Sequence, residues 1–271
     1  MLKTVILTDN KAADGFSSEW GYSVYAEYNS KKFLIDTGAS DKYLENAEKL
    51  GIDISCVDYA VLSHAHYDHS GGYGSFFEKN KKAVLYISEN CGEDCYHKFG
   101  IFRKYIGIPS GTLERYGDRI KYVGGAEKIC DGVYLVAHTG KGLEKIGKKA
   151  HLYRKSNGRL LPDDFCHEQS VVFETENGLA VINSCSHSGL KNILDDVEYY
   201  LPGSHVCMTL GGLHLSKYSD SDVRKIAAEI KKLSIDKVVT GHCTGDKAYE
   251  ILKEELGERV IQTCSGMTLE T

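Results

Sequence analysis

Apolar and polar positions along the chain fall into two recurring patterns. Thr4-Val5-Ile6-Leu7-Thr8 is a continuous run of the kind that forms a buried strand, and Gly21-Tyr22-Ser23-Val24-Tyr25-Ala26-Glu27-Tyr28 alternates with period two. Lys32-Phe33-Leu34-Ile35 follows the turn Asn29-Ser30-Lys31, so these pieces predict a meander of neighbouring strands. Within residues 41–50, Leu44, Ala47 and Leu50 recur at helical spacing and Gly51 supplies a stop. Tyr59-Ala60-Val61-Leu62 is a further short buried strand, ending at Ser63.

The pattern returns later. Residues 170–175 and 179–183 flank the turn Glu176-Asn177-Gly178, a hairpin signature, and residues 189–201 and 220–233 read as helices before the strand Lys237-Val238-Val239-Thr240. Residues 82–87 and 132–136 also read as strands. Between them, residues 91–128 are rich in aromatics and glycine with weak periodicity, which predicts an insertion or lid within the region 91–165. Two meanders, each followed by strand and helix, predict an α/β fold: two sheets face to face with helices outside, in one domain spanning residues 1–271, with a twofold echo between its halves.

Composition narrows the class. With 42% hydrophobic and 26% charged residues the chain is not disordered, and 271 residues bury enough surface to fold without disulfides. The nine cysteines contain no Cys-x-x-Cys pair, which reads as reduced thiols. A net charge of -5 argues against a surface that tracks nucleic acid. No apolar run reaches the roughly 18 residues of a membrane span, and the apolar start is cut short by Asp9, so the expected location is cytoplasmic with no membrane partner. One stretch stands apart: Lys141, Lys145, Lys148, Lys149, Arg154, Lys155 and Arg159 face the single acid Glu144. It reads either as a solvated face or as a mobile loop that recruits an anionic, phosphorylated substrate.

The chemistry concentrates in Ser63-His64-Ala65-His66-Tyr67-Asp68-His69-Ser70-Gly71-Gly72, directly after a buried strand. In extended chain His64 and His66 project to the same side and can share one metal ion, while Asp68 and His69 enter the next turn and can reach a second. Further ligands must come from other strand ends. His187, after the late hairpin, and His242, in Thr240-Gly241-His242-Cys243, occupy such places. His214 is a ligand, a substrate contact or a satisfied histidine, and Cys185 is a thiolate ligand or an inert buried thiol. Cys166, His167 and Glu168 form a lesser donor group. Asp36 is placed either to orient a liganding histidine or to cap a turn. Phe99, Phe102, Tyr105 and Tyr116 could stack on a planar ring, with core or lid packing as the plainer alternative.

The run His64-Ala65-His66-Tyr67-Asp68-His69, with Ile35-Asp36-Thr37-Gly38 upstream, resembles the metallo-β-lactamase superfamily. Asn183-Ser184-Cys185-Ser186-His187-Ser188-Gly189, Gly211-Gly212-Leu213-His214-Leu215 and Thr240-Gly241-His242-Cys243 are similar to its branch containing the dihydropterin ribofuranosylaminobenzene phosphate synthase and related metal-dependent hydrolases. Asp9-Asn10 and Glu19-Trp20-Gly21-Tyr22-Ser23 resemble the same branch. The resemblance implies a four-layered αβ/βα sandwich of two mixed sheets, with one or two divalent ions, zinc first and iron or manganese next, where the sheets meet. It implies that His64, His66 and His187 bind one ion and that Asp68, His69 and His242 bind the other. The superfamily's bridging aspartate is absent, and Cys185 stands in its place.

The expected activity is hydrolysis of a small anionic substrate through a metal-bound water, with Asp68 as the catalytic group that orients it. A synthase-like transferase and a non-catalytic metal-dependent ligand-binding module are the alternatives.

Overall fold

A computed structural model describes residues 1–271. In chain order the strands are β1 (Leu2–Thr8), β2 (Ser23–Tyr28), β3 (Lys31–Ile35), β4 (Tyr59–Val61), β5 (Val84–Ser88), β6 (Cys95–Phe99), β7 (Phe102–Tyr105), β8 (Ile120–Val123) and β9 (Ala126–Cys130). They continue as β10 (Val133–Ala137), β11 (Leu152–Ser156), β12 (Arg159–Pro162), β13 (Gln169–Thr175), β14 (Gly178–Cys185), β15 (Val206–Gly212), β16 (Ile235–Thr240), β17 (Val260–Gln262) and β18 (Thr268–Glu270). The helices are α1 (Lys42–Lys49), α2 (Tyr67–Ser70), α3 (Tyr73–Lys79), α4 (Thr112–Arg115), α5 (Glu144–Ala150), α6 (Leu190–Tyr200), α7 (Asp220–Ile230) and α8 (Asp246–Leu256).

Two seven-stranded sheets form the body, in the orders β18-β1-β2-β3-β4-β5-β8 and β17-β16-β15-β14-β13-β10-β9. In each, antiparallel pairs give way to parallel ones: β1, β2 and β3 lead into β4, β5 and β8, as β10, β13 and β14 lead into β15, β16 and β17. The twofold echo is thus real at the level of topology. The tight turn of the first hairpin puts Asn29 and Ser30 at φ 48° and 60°, the pair of positive angles that matches strand twist in a two-residue loop.

Period-two alternation sends one face of each sheet inward. Ile6, Val24, Phe33 and Ile35 of the first sheet meet Leu135, Phe173, Ile182 and Leu210 of the second in one buried cluster. The opposite faces are covered by α1 and α3 on one side, and by α6, α7 and α8 on the other. The four layers are helix, sheet, sheet, helix, as the sequence pattern predicts.

Two elements differ from the sequence expectation. Residues 120–137 are not insertion: β8 is an edge strand of the first sheet, and β9 and β10 form one side of the second. What stands apart is a four-stranded arm, β12-β11-β6-β7, with α5 beside it. The central strand β15 has no clear sequence signature because it ends in glycines. A Cβ on Gly211 would lie 2.0 Å from the Asn183 carbonyl oxygen, so close packing on β14 excludes the side chains that would have marked a strand.

Phe173 locks the two sheets together, with its ring 5.2 Å from Phe33 and 5.5 Å from Tyr28 in edge-on contacts. Phe173→Ala should therefore cost about 3–5 kcal/mol, read as a lower urea midpoint at unchanged slope.

Candidate metal centre

The centre is built at the seam between the sheets from loops that follow strand ends. Contrary to the sequence expectation, the chain does not stay extended after β4: it bends at His64 and Ala65, where the His66 N–H donates to the His64 carbonyl at 3.0 Å, returns to extended angles at His66 (φ -99°, ψ 150°) and then makes the single turn of α2. The bend brings the His64 and His66 rings to 4.7 Å, and the turn of α2 swings His69 to 4.1 Å from His64. From the second half, β14 delivers Cys185 and then His187, whose ring lies 4.8 Å from His64 and 5.1 Å from His66. The loop after β16 delivers His242, whose Nε2 is 3.2 Å from that of His69. Asp68 Oδ2 lies 3.6 Å from His242 Nε2 and 4.0 Å from His69 Nε2. All six residues expected to bind metal (His64, His66, Asp68, His69, His187 and His242) are thus gathered and buried. Cys185 belongs to both donor groups, with His64 and His187 on one side and His69 and His242 on the other.

The hydrogen bonds around the rings decide which nitrogen faces inward. Asp36 Oδ2 accepts from His69 Nδ1 at 2.7 Å and from the Ser63 hydroxyl at 2.6 Å. That hydroxyl has spent its proton on Asp36, so it accepts from His64 Nδ1 at 2.9 Å. Glu168 accepts from His187 Nδ1 at 3.1 Å. The Asn10 amide donates to the His242 carbonyl at 3.0 Å, which turns its oxygen toward His242 Nδ1, also at 3.0 Å. Each of these four rings therefore carries its proton on Nδ1 and presents an Nε2 lone pair to the centre. His64 Nε2 and His66 Nε2 are buried with no hydrogen-bond partner. The two lone pairs of His69 and His242, 3.2 Å apart, repel unless a cation or a proton lies between them. The residues fit a metal.

Charge states agree at three of these rings and differ at His69. Burial pushes His64 and His66 well below the usual imidazole range and His242 down to about 4, which keeps them neutral and able to ligate. Burial also opposes charge on His69, but Asp36 and Asp68 outweigh it and raise its pKa.

The segment that the sequence marked as a lesser donor group supports the centre and does not bind in it. Glu168 also accepts from the His187 and Ser188 backbone and the Ser188 hydroxyl, and although burial alone would raise it, these partners hold it at about 2. Of the lesser donor group, Cys166 lies away from the centre and accepts from Arg154 at 2.8 Å. His167 forms a brace. Its Nδ1 accepts the backbone N–H of Ala65, between two ligands, at 3.1 Å, so its Nε2 bears the proton, directed at Asp163 3.2 Å away. His66, Cys95, Asp163 and His167 also cluster within ligand distance, but a ring whose Nδ1 already accepts cannot readily offer Nε2 to an ion. Phe165 in the same segment stacks on His187 at 4.7 Å and 10°.

The basic stretch does not act as one loop. Arg154 is held by Asp94 at 2.9 Å and by the Asn90 carbonyl at 2.6 Å, so it fastens the arm rather than recruiting ligand. Of the seven basic residues, Lys149 alone borders the cleft beside the centre, where Lys217, His97, His151, His214, Tyr218 and Trp20 join it. Nor do the four aromatics line that cleft: Phe99 and Phe102 are exposed near the tip of the arm, Tyr105 donates to the Ile108 carbonyl and Tyr116 stacks on Phe77 at 4.3 Å.

Residues 21–181 match the model of the metallo-beta-lactamase superfamily, and the chain belongs to it. It is 29% identical over 259 residues to the 7,8-dihydropterin-6-methyl-4-(beta-D-ribofuranosyl)-aminobenzene-5'-phosphate synthase of Methanocaldococcus jannaschii, covering 90% of this chain and 87% of that one. A UPF0173 metal-dependent hydrolase of Staphylococcus carnosus is 30% identical over 139 residues, 46% of this chain and 56% of that one. Among solved structures, a metal-dependent hydrolase of the beta-lactamase superfamily superposes with a TM-score of 0.86 at 30% identity, covering 100% of this chain and 99% of the other.

Two outcomes follow from the supporting bonds. His167→Leu, which frees the Ala65 N–H, should weaken zinc binding by about 10–100-fold in a competitive chelator titration, and His167→Gln, whose side-chain oxygen can accept that N–H, should recover part of it. Glu168, with its folded pKa below the ordinary carboxylate value, contributes stability that is complete above about pH 4.5 and is lost as the pH falls toward about 2. Glu168→Gln should flatten that part of the acid-unfolding curve of the metal-free protein.

Proposed function

We propose that the protein is a metal-dependent hydrolase acting on a small anionic substrate. The observation that carries this reading is the set of inward Nε2 lone pairs around Cys185, with a cleft of cationic walls beside it that His214 and Trp20 join to His187 and His242. His64, His66 and His187 would hold one cation and Asp68, His69 and His242 a second, with Cys185 between them. Mixed nitrogen, oxygen and sulfur donors suit zinc best, with iron or manganese next. A bound divalent ion supplies Lewis acidity and makes a water acidic enough to attack at neutral pH.

The rest of the work falls to the chain. Asp68 projects toward His69 and His242 and keeps slight solvent contact, so it is placed to orient the attacking water and accept its proton. Lys149 and Lys217 draw the anionic part of the substrate into the cleft, while Ile146 and Leu152 give its apolar part a dry surface. Trp20, 5.3 Å from the His242 ring, shields the second donor group.

A second reading, transfer in place of hydrolysis, has a specific support: the similarity to the synthase runs over 90% of the chain. A hydrolase releases acid and alcohol from a panel of phosphodiester, thioester and lactone substrates. A transferase is silent on that panel and turns over only a pterin diphosphate with an arylamine acceptor.

On the active substrate, Asp68→Asn should lower kcat by about 10²–10⁴. Lys149→Ala with Lys217→Ala should raise KM more than it lowers kcat, and the difference should shrink as salt screens the cleft. An unchanged KM at low salt would remove the anionic substrate from the proposal.

A further inference from the structure

Beyond the imidazole groups lies a third set of donors, on the far side of Cys185. Cys243 Sγ is 3.1 Å from Cys185 Sγ, and a nitrogen of His214 falls with both sulfurs inside a 4.8 Å circle. Three features mark it as built. A Cβ on Gly212 would lie 2.4 Å from Cys243 Sγ, so only glycine at the end of β15 leaves room for that thiol. His214 is held at φ 53°, in the left-handed region that a histidine enters at some cost. Its Nδ1 is shut away from solvent and has no hydrogen-bond partner.

Two thiols and an imidazole with an unpartnered nitrogen are a softer donor set than the groups beside it, which have Cys185 as their one sulfur. We propose that Cys185, Cys243 and His214 form a thiolate-rich seat for a thiophilic divalent cation such as zinc, sharing Cys185 with the two imidazole groups. Cys243 gives up its proton to solvent as the ion binds, and the shared Cys185 is a thiolate once any of the three groups holds an ion. It rests on the reading of the region as a metal centre only through Cys185. In that arrangement Cys185 is the hub of the whole centre, and the sulfur takes over a part that a carboxylate would play in a purely oxygen and nitrogen site.

Cobalt(II) counts the thiolate ligands, since each cobalt–thiolate bond adds intense near-ultraviolet charge transfer and imidazole adds none, so the seat with Cys243 carries intensity that the shared Cys185 alone does not supply. The full-length protein, reduced and loaded with Co²⁺, is compared with Cys243→Ser, His214→Gln and His66→Ala, with metal counted by elemental analysis and folding checked by circular dichroism. We expect Cys243→Ser to lose one equivalent of cobalt and about half or more of the charge-transfer intensity, His214→Gln to shift that band, and His66→Ala to keep it. A folded Cys243→Ser with undiminished cobalt and an unaltered band overturns the seat. Visible ligand-field bands with no thiolate band in the native protein also overturn it and leave the imidazole centre standing. Absence of any bound cobalt overturns both.

Discussion

Two imidazole nitrogens that point their lone pairs at each other across 3.2 Å set the terms for the rest of the molecule. His69 belongs to the first half of the chain and His242 to the second, so neither sheet alone creates the contact. Each ring is turned inward by a partner on its outer edge, Asp36 in one case and Asn10 in the other. Buried polar groups left unsatisfied are costly, and a cation satisfies several here at once. An ion held there would stabilise by mass action the seam that the apolar cluster of the two sheets already packs.

Much of the fold and the centre is legible in the sequence, for a definite reason. Strands that alternate or run apolar, the Asn177-Gly178 turn and the dense histidine run 64–69 are local signals, and local signals survive in one dimension. His187 and His242 were visible because each follows a buried strand and sits beside glycine. The supporting set was visible only in part: Asp36 reads in the sequence as a group that can orient a histidine, while His167 and Glu168 read as donors and not as supports. What each one holds was hidden, since Asn10 reaches His242 across 232 positions and His167 reaches Ala65 across 102. Cys243 was hidden by being one of nine cysteines until the fold placed it beside Cys185.

The basic stretch illustrates the opposite error. Neighbours in sequence looked like neighbours in purpose, yet α5, β11 and β12 turn them in different directions. Arg154 is captured inside the arm, Lys149 reaches the cleft, and Lys155 and Arg159 face solvent. The cleft recovers positive charge from places the run does not include, Lys217 above all. Charge near a site is a property of the fold, and counting along the chain recovers its sign but not its address.

The segment 163–168 has a mechanical consequence. It grips the Ala65 peptide of the first half through His167 and His187 of the second through Phe165 and Glu168. A joint of that kind removes the hinge: the sheets cannot part like jaws to admit a guest without tearing ligands from their supports. The arm is moored at the same place, at His66, through the bridge to Gly107 and the bond from the Tyr67 N–H to the Ile106 carbonyl. Arm and candidate centre thus share an anchor, and a displacement of the arm would be felt first at His66.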